Sequence, residues 1–318
     1  MYREKKIAVV VPAYNEETQI ERTIRTMPEF VDKIIVVDDK SKDRTAEIVE
    51  RLAEKDDRVL LIRHVKNGGR GKAVSSGYIW CRENDMDIVV TMDGDGQMDP
   101  NDMPALLDPV VDNKADYTKG NRLITGEAWK KIPKVRYLGN SALTFLTKIA
   151  SGYWHVTDSQ TGYTALNRKA LHLLPLEDIY PRYGMPNDFL VTCNIYNMRV
   201  MDVPINPVYD IGEKSGIKLS RIIFTLSALI LRLFVKRMVQ KYIIRDFHPL
   251  VLFYAFGFFL FMLDIPLIAR LFFYWAMTTN IPKINALAIL FCTFIGMQSL
   301  LFAMLFDMEA NRELKGDR

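Results

Sequence analysis

The chain has 318 residues, of which 49% are apolar and 25% charged, which excludes a disordered, collagen-like or low-complexity protein. The net charge is +4, from 42 Lys and Arg against 38 Asp and Glu, too small to point to nucleic acid, so no nucleic-acid partner is expected. The length suits one large α/β domain with an appendage, and three widely spaced cysteines (Cys81, Cys193 and Cys292) predict free thiols in a reducing compartment.

The polar segment Met1 to Lys6 leads into the short apolar run Ile7 to Val11. A secretory signal needs a longer apolar core, so the leading domain is expected to stay in the cytosol. Short Val- and Ile-rich runs follow one another: Ile7 to Val11, Lys33 to Asp38, Val59 to Arg63 and Ile88 to Met92. Continuous apolar runs of this length predict strands buried on both faces of a sheet. Helical stretches separate them, at Thr18 to Met27, Thr45 to Lys55 and Gly71 to Glu83, with Ser41 the expected cap before the second. The alternation predicts an α/β fold with a doubly wound sheet, whose ligands sit beyond the carboxyl ends of the strands.

From Leu219 the chain turns apolar and aromatic. Leu219 to Tyr242 reads as one amphipathic helix with a narrow polar stripe through Arg221, Thr225, Ala228, Arg232, Lys236 and Gln240. Such a helix can lie in a membrane interface or pack on the preceding domain, and the two are compatible. Two apolar stretches follow, about 250–277 and 284–306, each long enough to cross about 30 Å of hydrocarbon, joined by a short connection into a hairpin. Lys236, Arg237, Lys241 and Arg245 precede the hairpin, and Arg312, Lys315 and Arg318 follow it, whereas the connection carries only Lys283. The positive-inside rule then predicts an integral membrane protein with its large domain and C-terminus on the cytoplasmic side. The expected organisation is a domain over 1–217, interfacial helices over 218–246 and a transmembrane hairpin with its tail over 247–318. Asp264, an acid within a span, is expected to meet another helix or a second copy of the chain, which makes a homo-oligomer through the hairpin a candidate assembly.

The strand ends carry the chemistry. The first leads into Pro12-Ala-Tyr-Asn-Glu16, the second into Asp38-Asp39-Lys-Ser-Lys-Asp43 and the fourth into Asp93-Gly-Asp-Gly-Gln-Met-Asp-Pro100. Carboxylates gathered in one crevice repel unless a cation sits among them. All-oxygen ligands suit Mg²⁺ or Mn²⁺, ions that complete their shells with substrate phosphates and water. Two rival nucleotide motifs fail. Asn67-Gly-Gly-Arg-Gly-Lys-Ala73 has Lys66 where a Walker loop has glycine and Ala73 where it has Ser or Thr, and no G-x-G-x-x-G follows the first strand. The glycines can still ease a turn into a helix whose N-terminus, with Lys72, faces an anion.

In order, Pro12-x-Tyr-Asn-Glu16, Asp38-Asp39, Gly71-Lys72, Asp93-x-Asp95-x-Gln97 and Asp99-Pro100 make the chain resemble a family-two glycosyltransferase of the GT-A fold, over nearly its whole length. Within that family it resembles the membrane-bound polyprenyl-phosphate glycosyltransferases, such as dolichyl-phosphate mannose and glucose synthases. The resemblance implies that Pro12, Tyr14, Asn15, Glu16, Asp38, Asp39 and Lys72 bind the nucleotide-sugar, together with Asp93, Gly94 and Asp95. It also implies that Asp93, Asp95 and Gln97 hold the metal against the donor diphosphate. Lys119-Gly-Asn-Arg122 matches the family segment that ends in arginine, and Arg136 follows at the spacing of a second acceptor arginine, with Trp129 between. Arg122 and Arg136 are therefore the expected lipid-phosphate ligands, since guanidinium gives paired bonds to phosphate oxygens.

Asp158-Ser-Gln-Thr-Gly162 resembles the acceptor-side loop, and Asp188 stands where relatives carry a later acid, for which an orienting role near the catalytic Asp93 and Asp95 is expected. Gly212 to Lys218 resembles a loop that closes over phosphates, with Lys214, Ser215 or Lys218 making the contact. The Q-x-x-R-W motif of processive synthases is absent, which favours transfer of one sugar. The implied partners are a nucleotide-sugar donor (UDP-hexose favoured), a polyprenyl phosphate acceptor and the lipid bilayer. A transferase with a non-phosphate acceptor and a non-catalytic sugar-nucleotide-binding membrane subunit are the alternatives.

Overall fold

The computed structural model describes residues 1–123, 134–206 and 219–316, with side chains omitted at 134–140 and 219–224. Seven strands form one mixed sheet: β1 (Ile7–Ala13), β2 (Lys33–Asp38), β3 (Val59–Arg63), β4 (Ile88–Thr91), β5 (Tyr117–Asn121), β6 (Thr164–Asn167) and β7 (Val200–Pro204). Their spatial order is β3-β2-β1-β4-β6-β5-β7. All neighbours are parallel except β6, which runs antiparallel to both β4 and β5. Every residue of β1 is buried, because the strand lies between β2 and β4 with helices on both faces. That position explains a run such as Ile7 to Val11 with no polar alternation. The residues of β1 split between two cores, Ala8 and Val10 facing one and Ile7, Val9 and Val11 the other.

The first four strands alternate with α1 (Ile20–Arg25), α2 (Thr45–Ala53) and α3 (Arg70–Glu83), within a few residues of the sequence expectation. The helix α4 (Met103–Val111) precedes β5, and α5 (Lys134–Ser151) precedes β6. Next come α6 (Arg168–Leu173), α7 (Met185–Ile195) and α8 (Leu219–Val239). The closest helix–sheet approach needs Gly77 of α3. A Cβ there would stand 2.3 Å from Val10 Cγ1 of β1. Beside it the Tyr78 hydroxyl reaches Thr91 Oγ1 of β4 at 2.6 Å and satisfies both buried groups.

Contacts divide the chain into two compact units, Met1–Phe234 joined by the chain from Glu313 onward, and Val235–Arg312. Within the first, Ile230 and Leu233 of α8 pack with Ala150, Val191 and Ile195. The returning tail bridges Lys315 to Val200 of β7, and the Gly316 N–H donates to the Val200 carbonyl at 3.2 Å.

The second unit is a helical hairpin, α9 (Leu250–Thr278) and α10 (Lys283–Ala310), entered through a π-helical turn at Gln240–Arg245. Both helices are long and apolar enough to cross a membrane. Gly257 and Gly296 let them approach closely. A Cβ on Gly257 would lie 2.7 Å from Leu300 Cδ2 and 3.1 Å from the Gly296 carbonyl oxygen. Asp264 is buried between them, where Thr293 donates to its Oδ2 at 2.8 Å, so it meets the other helix of its own hairpin. The unbroken helix expected to Tyr242 instead widens after Val239. The physical cause is a polar knot. Arg237 forks onto Asp307 at 2.7 and 2.9 Å, the Tyr242 hydroxyl donates to the same carboxylate at 2.9 Å, and Lys241 reaches Asn311 at 2.8 Å. The wider turn brings Arg237 and Tyr242, five residues apart, to one side, the guanidinium 5.5 Å from the ring centre. Burial and then the Arg237 charge push the Lys241 ammonium down to about 7.

Two substitutions test this packing. Gly77→Ala is expected to cost about 1–3 kcal/mol through overpacking against β1, read as a lowered Tm with unchanged secondary structure. Asp307→Ala strands the buried Arg237 charge and is expected to cost about 3–5 kcal/mol, read by thermal unfolding in detergent.

Candidate active site

Turns beyond β1 and β2 are tied to each other before any ligand is considered. Asn15 takes a left-handed backbone, φ 59°, a conformation that asparagine tolerates better than most residues. Its N–H donates to Ser41 Oγ at 2.9 Å, while its side-chain oxygen accepts from the Lys42 N–H at 2.8 Å. The Glu16 N–H donates to Thr45 Oγ1 at 2.8 Å. Ser41 therefore does not cap α2 as expected. Its hydroxyl is committed to the neighbouring turn, and the N-cap is Arg44, which makes no side-chain cap bond; Asp43, one residue earlier, accepts from the Thr45 N–H at 3.1 Å and from the Thr45 hydroxyl at 2.6 Å. Pro12 is buried, Tyr14 is exposed, and the buried Asp38 accepts from the Ser41 N–H.

Asp39 is also buried, and its carboxylate reaches across to the next turn. It accepts from the N–H groups of Gly68 at 2.8 Å and Gly69 at 2.7 Å, and lies 2.8 Å from His64 Nδ1. Those contacts shape the glycine segment that the sequence likened to a phosphate loop. Gly69 has φ 88°, and a Cβ on Gly71 would stand 2.1 Å from the Tyr180 carbonyl, so neither position admits a side chain without rearrangement. Lys72, in the first turn of α3, is exposed.

The turn after β4 carries the paired aspartates. Gly96 sits at φ 75°, and Asp95 Oδ1 accepts from the Gln97 N–H at 3.0 Å, which closes the turn and sets Gln97 beside it. Asp93 is held by Arg70, the first residue of α3. Arg70 Nε donates at 2.8 Å, and its Nη2 lies 2.7 Å from the same oxygen in ion-pair contact. Gly162 closes over both. A Cβ there would lie 2.2 Å from Arg70 Nη2 and 2.7 Å from Asp93 Oδ2, so the loop beginning at Asp158 packs directly on the aspartate turn. Glu16 belongs to the same group. Burial, then the charges of Asp95, Asp93 and Asp43, push its carboxyl up to about 7.

Arg122, Asp158 and Lys119 form a second network. Arg122 forks onto Asp158, with Nε at 2.8 Å from Oδ2 and Nη2 at 3.1 Å from Oδ1. Burial pushes the Asp158 carboxyl up, but the charge and hydrogen bonds of Arg122, with Lys119, outweigh it and hold the group below the usual range. Lys119 is fully buried, donates to the Thr161 carbonyl at 2.5 Å, and is brought down by burial to about 8. Asp188 lies in the first turn of α7, buried, and accepts from the Tyr180 N–H at 2.8 Å. That bond holds the Tyr180–Pro181 segment, whose Pro181 carbonyl accepts from the Lys72 N–H. Arg136 falls in α5 with its side chain outside the described residues, as do Trp129, Lys214, Ser215 and Lys218 altogether.

Could this turn hold a divalent ion? Among the described residues no three His, Cys, Asp or Glu side chains enclose a metal by themselves. The side chains the turn offers are nevertheless oxygen donors, and burial, then the charges of Asp95, Asp93 and Asp43, raise the neighbouring Glu16 carboxyl. Those groups fit an ion that takes one or two protein carboxylates and completes its shell with phosphate and water. With Asp93 engaged by Arg70, Asp95 is the better placed of the pair. Sequence reasoning missed Arg70, the partnership of Asp158 with Arg122, and His64. Arg70 stood in plain view between two glycines, yet nothing local marks it as the partner of an acid 23 residues on.

Residues 8–174 match Glycosyl transferase family 2, and the chain belongs to that family. The UDP-N-acetylglucosamine–dolichyl-phosphate N-acetylglucosaminyltransferase of Methanococcus voltae is 32% identical over 219 residues, 65% of this chain and 87% of that protein. The undecaprenyl-phosphate mannosyltransferase of Micrococcus luteus is 29% identical over 212 residues, covering 65% of this chain and 86% of its own. Among solved structures, glucosyl-3-phosphoglycerate synthase from Mycobacterium tuberculosis, in complex with Mn²⁺, UDP and phosphoglyceric acid, superposes with a TM-score of 0.54. It is 21% identical and the match covers 74% of this chain and 78% of that one, a likeness of fold. The fold is GT-A, and the protein is a glycosyltransferase related to the polyprenyl-phosphate sugar transferases.

The crowding has a measurable sign. A carboxyl raised from 4.5 to about 7 binds its proton more tightly in the folded state. Its contribution to stability is therefore present below pH 4.5, is lost as pH rises through that interval, and is gone above about 7. Glu16→Gln is expected to flatten this fall and to raise the Tm of the ligand-free protein at pH 8, measured by calorimetry across pH 4 to 8.

Proposed function

We propose that this enzyme transfers one sugar from a nucleotide-sugar to a membrane polyprenyl phosphate, with inversion, in a metal-dependent reaction. The convergence of Glu16, Asp93 and Asp95 at the carboxyl ends of β1 and β4 is the observation that carries the reading. A UDP-hexose is the favoured donor. In support, one relative is named for a UDP-sugar and dolichyl phosphate, and Mn²⁺ and UDP occur together in a protein of the same fold.

The residues divide the work as follows. Pro12, Tyr14, Asn15, Glu16, Asp38 and Asp39 line the nucleoside end, and Lys72 faces the donor diphosphate from the start of α3. Asp95, supported by Asp93, Gly94 and Gln97 in the same turn, holds Mg²⁺ or Mn²⁺, which when bound neutralises the departing diphosphate as a Lewis acid. Arg70 fixes the direction of Asp93. On the acceptor side, Asp158 aims the Arg122 fork, and Arg136, Lys214, Ser215 and Lys218 complete the phosphate's surroundings. Asp188 orients the Tyr180–Pro181 segment against α3. The acceptor needs no strong general base, since a phosphate monoester with a second pKa of roughly 6 is already anionic at neutral pH. The hard task is to bring two anions together, which the basic side chains address.

The acceptor's apolar chain stays in the bilayer, because extracting it costs about 0.8 kcal/mol per methylene. We therefore assign 1–217 to catalysis, 218–246 to the membrane interface and 247–318 to a hairpin that spans the bilayer twice. By the positive-inside rule, both ends of the hairpin and the catalytic domain are assigned to the cytoplasmic side.

The test is a donor screen with Mg²⁺ or Mn²⁺ in which polyprenyl phosphate is set against the neutral polyprenol, reading lipid-linked sugar. Product from the phosphate alone is expected, and product lost on adding chelator. Equal use of the neutral alcohol defeats the acceptor assignment. Asp95→Asn is expected to lower turnover by at least about a hundredfold. Arg122→Ala is expected to raise the KM for polyprenyl phosphate by roughly tenfold or more, with the donor KM little changed.

A further inference from the structure

We propose that His64, braced by Ser76, is a positioning residue that holds Asp39 and the glycine turn in the geometry needed to bind the donor nucleotide. The inference deepens the reading just given and rests on it.

The observation is a line of hydrogen bonds that runs through three separate elements. Ser76, on the second turn of α3, lies 2.9 Å from His64 Nε2 through its hydroxyl. His64, just past β3, lies 2.8 Å from Asp39 Oδ1 through Nδ1. Asp39 then accepts from the Gly68 and Gly69 N–H groups, and its own backbone carbonyl accepts from Asn67 Nδ2 at 3.0 Å. One residue after Gly69 stands Arg70, bonded to Asp93. A continuous path thus joins the carboxylate at the end of β2 to the aspartate turn at the end of β4.

An ionised carboxylate only accepts, so the proton on His64 sits at Nδ1, and the rotating Ser76 hydroxyl serves whichever role Nε2 needs. Both partners are well enclosed, with side-chain exposures of 14% for His64 and 4% for Asp39. Three of the roughly four acceptor sites of the carboxylate are therefore filled by the protein itself, and the remaining site has a fixed direction. Without His64, Asp39 would keep only the two glycine contacts on one side and could rotate about its side-chain torsion. The binding order serine, histidine, aspartate also occurs in acyl-transfer nucleophiles, but Ser76 sits inside α3, where the backbone N–H groups are spent on helical bonds. No oxyanion-binding pair is offered there, and the arrangement is one of support.

The experiment uses the full-length protein in detergent and compares wild type with His64→Ala, His64→Asn and Ser76→Ala. UDP binding with Mn²⁺ is measured by titration calorimetry, and donor KM and kcat by product formation. His64→Ala is expected to weaken UDP binding and raise donor KM by about tenfold or more, the loss of a hydrogen bond to a charged group, while kcat at saturating donor changes little. His64→Asn, whose amide can restore the donor to Asp39, is expected to recover most of that affinity, and Ser76→Ala to show a smaller defect in the same direction. A purely structural role predicts instead a lowered Tm with unchanged UDP affinity in the folded fraction, and that result overturns the proposal. So does failure of His64→Asn to bind better than His64→Ala. If wild type binds neither UDP nor GDP with Mn²⁺, the nucleotide-sugar reading itself falls and this inference with it.

Discussion

Negative charge gathered where parallel strands end is the constraint on which the rest of this structure turns. Half-burying Glu16 beside Asp93 and Asp95 raises its carboxyl, and the aspartates around it are each held by something specific. Arg70 takes Asp93, the Gln97 N–H takes Asp95, and paired glycine N–H groups take Asp39. The site is thus partly neutralised from within by one guanidinium and several backbone dipoles. Asp93 and Asp95 themselves sit two residues apart in one turn, so these contacts fix the direction of both carboxylates together.

The same economy governs Arg122 and Asp158. Arg122 does not stand free in solvent. Asp158 fixes both its Nε and Nη2, so its orientation is set before any phosphate arrives. The loop that supplies Asp158 also supplies Gly162, which touches Arg70 and Asp93. The Arg70–Asp93 and Arg122–Asp158 pairs are therefore joined by one packed loop. A side chain added at Gly162 would disturb both at once.

Much of this was legible in the sequence, and the reasons differ by element. The strands β1 to β4 were readable because burial on both faces leaves uninterrupted Val and Ile. The aspartate turn and the spans were readable because they are contiguous in sequence. Helix limits were less so: the expected helix through Tyr242 breaks into a π turn, because Arg237, Lys241 and Tyr242 all answer to Asp307 and Asn311, some 65 to 70 residues away. Arg70, His64 and Asp158 escaped for a similar reason. Each acts through a partner brought near only by the fold, and no spacing along the chain records that partner. Ser41 shows the opposite error, a sound local cap signal overridden when the adjoining turn claimed its hydroxyl.

The short tail has a consequence for how the chain can be divided. β7 pairs with β5 along one side, and on the other Lys315 and Gly316 lie against Val200. Removing everything from the first apolar helix onward, the obvious route to a tractable soluble enzyme, would strip that cover from an outer strand and leave its amides available to a neighbouring molecule. The sheet and the apolar hairpin are therefore not modules in series: the last residues belong to the first unit, and a cut that removes the hairpin also removes part of the sheet's edge.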